Sequence, residues 1–309
     1  MLEYKNITKY FNDKLIVDNL NLKIETGTVL GFIGPNGAGK TTTIKMGCGL
    51  VNSTTGEIYA FGKSIKENRK EYIKNIGAVL EGNRNIYWKL TPKENLEYFS
   101  LIRGKWNKNI RKNIEHLLEL FDLTDKANCE CGKLSRGMQQ KVAICCSLIS
   151  DHKILFLDEP TLGLDVQSIL SMENAIKKLS TKDKIIIITS HDFNFITNTC
   201  NKVAIMDKGN IVLEEEVSFL KNYTKEDFYK ININGNLLEI ENIFDEFENI
   251  KLSAEINGDI LIEAIIENND QLFFVLNTLK DNNIKINSIN KQEIALEDIF
   301  INIIKEREN

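Results

Sequence analysis

The residues Gly34-Pro35-Asn36-Gly37-Ala38-Gly39-Lys40-Thr41 constrain this 309-residue chain more than any other stretch. They follow an apolar run, Val29–Ile33, and precede a helix predicted to start near Gly39. The spacing G-x-x-x-x-G-K-T is that of a phosphate-binding loop between a buried strand and a helix. Glycines let successive N–H groups turn inward around a phosphate, and the helix N-terminus adds a partial positive charge. In such a loop Lys40 reaches the β- and γ-phosphates of a nucleoside triphosphate. The hydroxyl of Thr41 is suited to ligate Mg²⁺, and Thr42 adds a further donor.

A second motif, Ile154-Leu155-Phe156-Leu157-Asp158-Glu159-Pro160, ends a predicted central strand with two carboxylates. Ligands of open α/β sheets bind at that end of the strands. Asp158 is suited to the Mg²⁺ shell, and Glu159 to polarise an attacking water as general base.

The rest of the chain fits a two-domain globular protein. Composition is 42% hydrophobic and 27% charged, close to average. No apolar stretch approaches the ~20 residues of a membrane helix, and the N-terminus lacks a signal-peptide core. A cytoplasmic protein is therefore expected. The net charge of −5 is unevenly spread: residues 1–221 hold 31 basic and 26 acidic residues, residues 222–309 hold 8 and 18. Neither part has the basic patch of a nucleic-acid binder, so no nucleic-acid partner is expected. The six cysteines form no C-x-x-C pair and read as reduced thiols.

Fifteen of the 18 glycines lie at or before Gly163, so tight turns concentrate in the first part. Strands are predicted at Leu2–Ile7, Leu20–Ile24, Val29–Ile33, Ile154–Leu157 and Ile185–Thr189. Helices are predicted at Lys93–Arg103, Ile110–Phe121 and from a Ser135 cap to about Ile149. Strands alternating with helices argue for a parallel sheet covered on both faces. A linker is placed at Glu214–Thr224. Beyond it, Phe228–Ile233, a helical period through Leu237, Ile240, Ile243, Phe244 and Phe247, and Ile250–Ile256 joined to Ile260–Ile266 by an Asn257-Gly258 turn come in sequence. Gln271–Leu279, Ile284–Ile289 and Ala295–Lys305 complete the order β-α-β-β-α-β-α, that of a ferredoxin-like domain.

These motifs, in this order, resemble the ATP-binding subunits of ABC transporters. The resemblance implies a P-loop cassette over residues 1–217, with a helical subdomain at about 85–150 and a small α+β accessory or dimerisation domain over 222–309. It implies ATP and Mg²⁺ as cofactors. Leu134-Ser135-Arg136-Gly137-Met138 is similar to the family's LSGGQ signature, which faces the γ-phosphate held by the other cassette of a head-to-tail dimer. Ser135 and Gly137 would then bind a partner's nucleotide. Arg136 and Met138 depart from the pattern. Leu162-Gly163-Leu164-Asp165 resembles the D-loop, and Thr189-Ser190-His191-Asp192 the motif whose histidine holds the γ-phosphate and the catalytic glutamate. Phe11 resembles the aromatic that stacks on adenine, with Tyr10 as the alternative.

Glu81 stands where the family has the Q-loop glutamine. A carboxylate there keeps an oxygen for Mg²⁺, or repels the γ-phosphate until metal arrives, or is a surface acid without a catalytic part. Tyr87 and Trp88 either help form a groove for a membrane partner's coupling helix or lie buried in the helical subdomain. Ala295-Leu296-Glu297-Asp298-Ile299-Phe300 resembles the ending of ATPases from ABC-2-type exporters, including drug, bacitracin-type and lantibiotic systems. The implied protein is an ATPase at the inner face of the cell membrane, working with a separate ABC-2-type permease as a homodimer or heterodimer. A soluble ABC ATPase acting on ribosomes or nucleic acid is the alternative, and a ligand-sensing role for the acidic tail is compatible with either.

Overall fold

A computed structural model describes residues 1–82, 86–104, 106–150, 152–180, 183–219, 227–234, 240, 243–244, 250–254, 259–266 and 268–293. The chain forms two compact units, Met1–Val217 and Ser218–Asn309.

The first unit holds two sheets. Strands β1 (Leu2–Phe11), β2 (Lys14–Ile24), β4 (Thr55–Ala60) and β5 (Lys63–Ser64) form an antiparallel sheet in the order β2-β1-β4-β5. Strands β3 (Val29–Ile33), β6 (Ile76–Val79), β7 (Ile154–Asp158), β8 (Ile185–Thr189), β9 (Lys202–Asp207) and β10 (Asn210–Glu216) form the second, in the order β10-β9-β3-β8-β7-β6. Its strands run parallel except β10. Every residue of β3, β7 and β8 is buried, as continuous apolar runs require when both faces of a parallel sheet are covered.

The first two strands are longer than their apolar runs predict, because an antiparallel sheet tolerates a wet face and polar residues alternate along them. The acidic run Glu214–Glu216 is part of β10 rather than a linker. It pairs with Ala204, Val203 and Lys202 on β9, and the Lys202 ammonium bonds Glu214. An edge strand leaves such charges in solvent.

Helix α1 (Lys40–Gly47) lies under the phosphate loop, followed by α2 (Arg69–Lys74). One core joins the two sheets through α1, with Tyr4, Leu22, Phe32, Ile44 and Phe156 all buried in it. Helices α3 (Pro92–Ile102), α4 (Ile110–Leu120) and α5 (Arg136–Leu148) pack together between β6 and β7 in sequence. Local signals set their ends. Thr91 and Glu94 form a reciprocal capping box with Pro92 in the first turn, and Ser135 caps α5. Asp165 caps α6 (Val166–Leu179), and Asp192 caps α7 (Phe193–Thr199).

The second unit has β11 (Asp227–Ile233), β12 (Ile250–Ala254), β13 (Ile260–Ile266), helix α8 (Asn269–Asp281) and β14 (Ile286–Glu293). The sheet order β12-β13-β11-β14, antiparallel at every pairing, is the ferredoxin-like arrangement. Ile231, Ile233, Ile260, Ile262, Val275 and Leu279 make its core, joined by Ile240 and Phe244. Leu237, Phe247, the Asn257-Gly258 turn and the Ala295–Lys305 helix with its tail motif lie outside the described residues. Among the described residues no helix is long and apolar enough to cross a membrane.

Candidate nucleotide-binding site

The phosphate loop runs from the C-terminal end of β3 into α1, and glycine is required in it by close approach. A Cβ on Gly34 would stand 2.1 Å from the Met206 carbonyl oxygen. At Gly39, where φ is +103°, it would stand 2.8 Å from the Ile16 oxygen. Ala38 is buried, its N–H donating to the Pro35 carbonyl at 3.2 Å. Lys40 is also buried, and its ammonium donates to the Gly34 carbonyl at 2.5 Å and the Pro35 carbonyl at 3.1 Å. Burial lowers its pKa, against the opposing pull of Glu159, Asp158 and Glu81. The lysine is thus a desolvated cation folded onto its own loop, where a phosphate oxygen would be a stronger partner than a carbonyl.

The C-terminal ends of β7 and β8 stand side by side, with Asp158 opposite Thr189. The Thr189 hydroxyl donates to Asp158 Oδ1 at 2.6 Å, and Thr41 donates to the same oxygen at 3.1 Å. Asp158 Oδ2 is buried and has no hydrogen-bond partner among the described residues. Glu159 takes a left-handed φ of 49°, held by its N–H, which donates to Thr189 Oγ1 at 3.0 Å and to the Thr189 carbonyl at 3.1 Å. Its carboxylate lies 3.0 Å from His191 Nδ1.

A cleft of about 470 Å³ brings Phe11, Asn36, Gly37, Gly39, Lys40, Thr41, Thr42, Glu81, Glu159 and His191 together. Phe11 ends β1, half exposed, with the Lys9 ammonium 4.7 Å from its ring centre. Ser135, Gly137 and Asp165 are not among the residues lining this cleft. They meet at the N-termini of α5 and α6. Ser135 Oγ accepts from the Met138 N–H at 3.3 Å, and Asp165 accepts from the Ser168 N–H at 2.8 Å and its hydroxyl at 3.1 Å. These bonds hold the Asp165 carboxyl below its usual range. A Cβ on Gly137 would stand 2.5 Å from Ser168 Oγ, so the glycine also lets α5 approach α6.

Two features extend the sequence reading. Thr189 carries no role in it, yet this hydroxyl organises both acids at the C-terminal end of β7, Asp158 and the following Glu159; the only sequence signal is a hydroxyl at a strand end beside a histidine motif. Tyr87 and Trp88 are 48% and 60% exposed, which excludes the buried alternative. Tyr87 packs edge-on to Tyr98 at 4.7 Å, presenting aromatic surface to solvent.

A phosphate loop, an acidic strand end and a histidine, converging on one cleft of a mixed α/β sheet, define a P-loop nucleotide-hydrolysing cassette. The family model described as ABC transporter matches residues 17–162. The chain is 37% identical over 214 residues to the uncharacterized ABC transporter ATP-binding protein YhcH of Bacillus subtilis (strain 168), covering 69% of this chain and 68% of that one. It is 33% identical over 308 residues to the bacitracin transport ATP-binding protein BcrA of Bacillus licheniformis, covering 98% and 97%. A dimeric post-hydrolysis ATP-binding cassette bound to ADP and Pi matches with a TM-score of 0.63 and 27% identity, over 70% of this chain and 99% of that one. This chain belongs to the ATP-binding proteins of ABC transporters. It is an ATP-binding and ATP-hydrolysing subunit, of a family whose cassettes pair and act with a membrane permease. The alternative of a ribosome- or nucleic-acid-directed ATPase is not favoured, since similarity to a transport protein runs through both units.

Proposed function

We propose that this chain powers an ABC-2-type exporter from the inner face of the cell membrane, moving a drug, an antimicrobial peptide or a lipid-like molecule. The observation that carries this is the 33% identity to a bacitracin transport ATP-binding protein across 98% of the chain, accessory unit included. Exposed Tyr87 and Trp88 supply aromatic surface of the kind enriched at interface cores, suited to a permease helix.

In the proposed cycle Phe11 stacks on adenine, and the loop from Gly34 to Thr42 cradles the phosphates with Lys40 on the β- and γ-groups. The donor set suits Mg²⁺: Asp158 Oδ2 is a buried acceptor without a partner among the described residues, and the Thr41 hydroxyl already touches the same carboxylate. Thr41, Asp158 and Glu81 would hold the ion. Bound there, Mg²⁺ neutralises charge on the β- and γ-phosphates. Glu159 takes a proton from the attacking water, and His191 orients that carboxylate through the Nδ1 contact. Ser135, Gly137 and Asp165 sit away from this cleft and serve the nucleotide of the paired cassette.

The test is co-purification from native membranes with identification of the bound subunits. A polytopic permease without its own ATPase is expected; recovery of only ribosomal or other non-membrane partners overturns the export reading.

A further inference from the structure

Beside the nucleotide cleft lies a second cavity of about 290 Å³, lined in part by Glu81, Arg136, Gln140, Asp158 and Glu159. The two spaces share Glu81 and Glu159. Three carboxylates therefore reach this cavity, and Arg136 is the one cation among its described lining residues. Arg136 opens α5 directly after its cap Ser135, and its guanidinium lies against Gly163, where a Cβ would stand 2.7 Å from Nη1 and 2.9 Å from Cζ. Gly163 has a φ of +70°, so the seat needs a residue without a side chain. Glu81 lines the nucleotide cleft together with Lys40, whose charged form it favours. A third carboxylate beside two others repels an incoming polyphosphate unless a fixed cation offsets it.

We propose that Arg136 is a positioning residue whose charge compensates Glu81, so that the two residues set the affinity for ATP as a pair. This rests on the ATPase reading of the cleft. The arginine acts within its own chain, through the cavity joining α5 to the strand ends. Removing it leaves Glu81 uncompensated and weakens binding of the polyphosphate. Removing both charges restores the balance.

The experiment is a double-mutant cycle on the full-length chain with Arg136→Ala, Glu81→Gln and the pair. It reads the Kd of a fluorescent ATP analogue in EDTA, and separately KM and kcat with Mg²⁺. Arg136→Ala is expected to raise the metal-free Kd roughly tenfold, as couplings across a shared cavity allow. Glu81→Gln is expected to lower it, and the double variant to return within about twofold of the parent. The Arg136→Ala defect should shrink in high salt, and Arg136→Lys should recover most of the binding. A packing role would not produce the salt dependence or the cancellation. A double variant that binds as weakly as Arg136→Ala alone, or a salt-independent loss, overturns the pairing. Failure of the parent chain itself to bind or hydrolyse ATP would instead overturn the reading on which the pairing rests.

Discussion

His191 Nδ1 lies 3.0 Å from Glu159 Oε2, although the two residues follow different strands of the sheet, β8 and β7. The histidine side chain is 62% exposed and the glutamate 11%. An exposed imidazole is thereby tethered to a largely buried carboxylate that lines the phosphate cleft. With Nδ1–H donating to Glu159, Nε2 is left for the nucleotide.

Glu159→Gln keeps the shape of the side chain and removes the base. Turnover is expected to fall about 10²–10⁴-fold, the usual contribution of a positioned general base. ATP-bound dimer should accumulate, visible as a doubled mass by light scattering in the presence of ATP. Undiminished turnover would refute the assignment of Glu159.

His191→Ala removes the tether without touching the loop. Its expected signature is a kcat loss of roughly 10²–10³-fold, the scale of one lost donor at developing charge, with KM for ATP changed little. A KM rise with unaltered kcat would place the histidine in ground-state binding instead.

Glu81→Gln replaces a carboxylate of the proposed metal site by an amide. The Mg²⁺ concentration giving half-maximal hydrolysis should rise roughly tenfold or more, as for residues bordering a metal. Unchanged Mg²⁺ dependence together with unchanged turnover returns Glu81 to the status of a surface acid.

Thr189→Val keeps the volume and deletes the hydroxyl that serves Asp158 and the Glu159 N–H. The loss of these buried bonds should cost about 1–3 kcal/mol in denaturant unfolding. Hydrolysis should fall as well, because Asp158 and Glu159 lose their common support. A fully stable and fully active variant would show that the main-chain bond from Glu159 to Thr189 suffices.

Much of the site was legible because its chemistry is written in contiguous residues. The loop Gly34–Thr41 needs glycines at fixed offsets whatever surrounds it, and Ile154–Glu159 joins a buried run to two acids. Caps were equally local: Ser135 and Pro92 mark helix starts by what their own backbone and side chains can do. Strand β9 was not legible, and neither was the pairing of Glu214–Glu216. The short apolar run acquires strand identity by pairing with β3 and β10, and the acidic run by pairing with β9. The length of β1 was hidden for the same reason, since polar residues on a wet face carry no apolar signal.

The sequence alone determined that this chain binds a nucleotide phosphate and that two acids and a histidine stand ready near it. Only the tertiary structure decided that Thr189 links those acids and that Gly137 is a packing necessity against Ser168 as well as part of a motif. It also decided that Glu81 and Arg136 share one cavity. Phosphate binding follows from backbone geometry within a few consecutive residues. The other relationships join residues tens of positions apart, whose distances are set by strand register and helix packing, and local sequence carries no information on either.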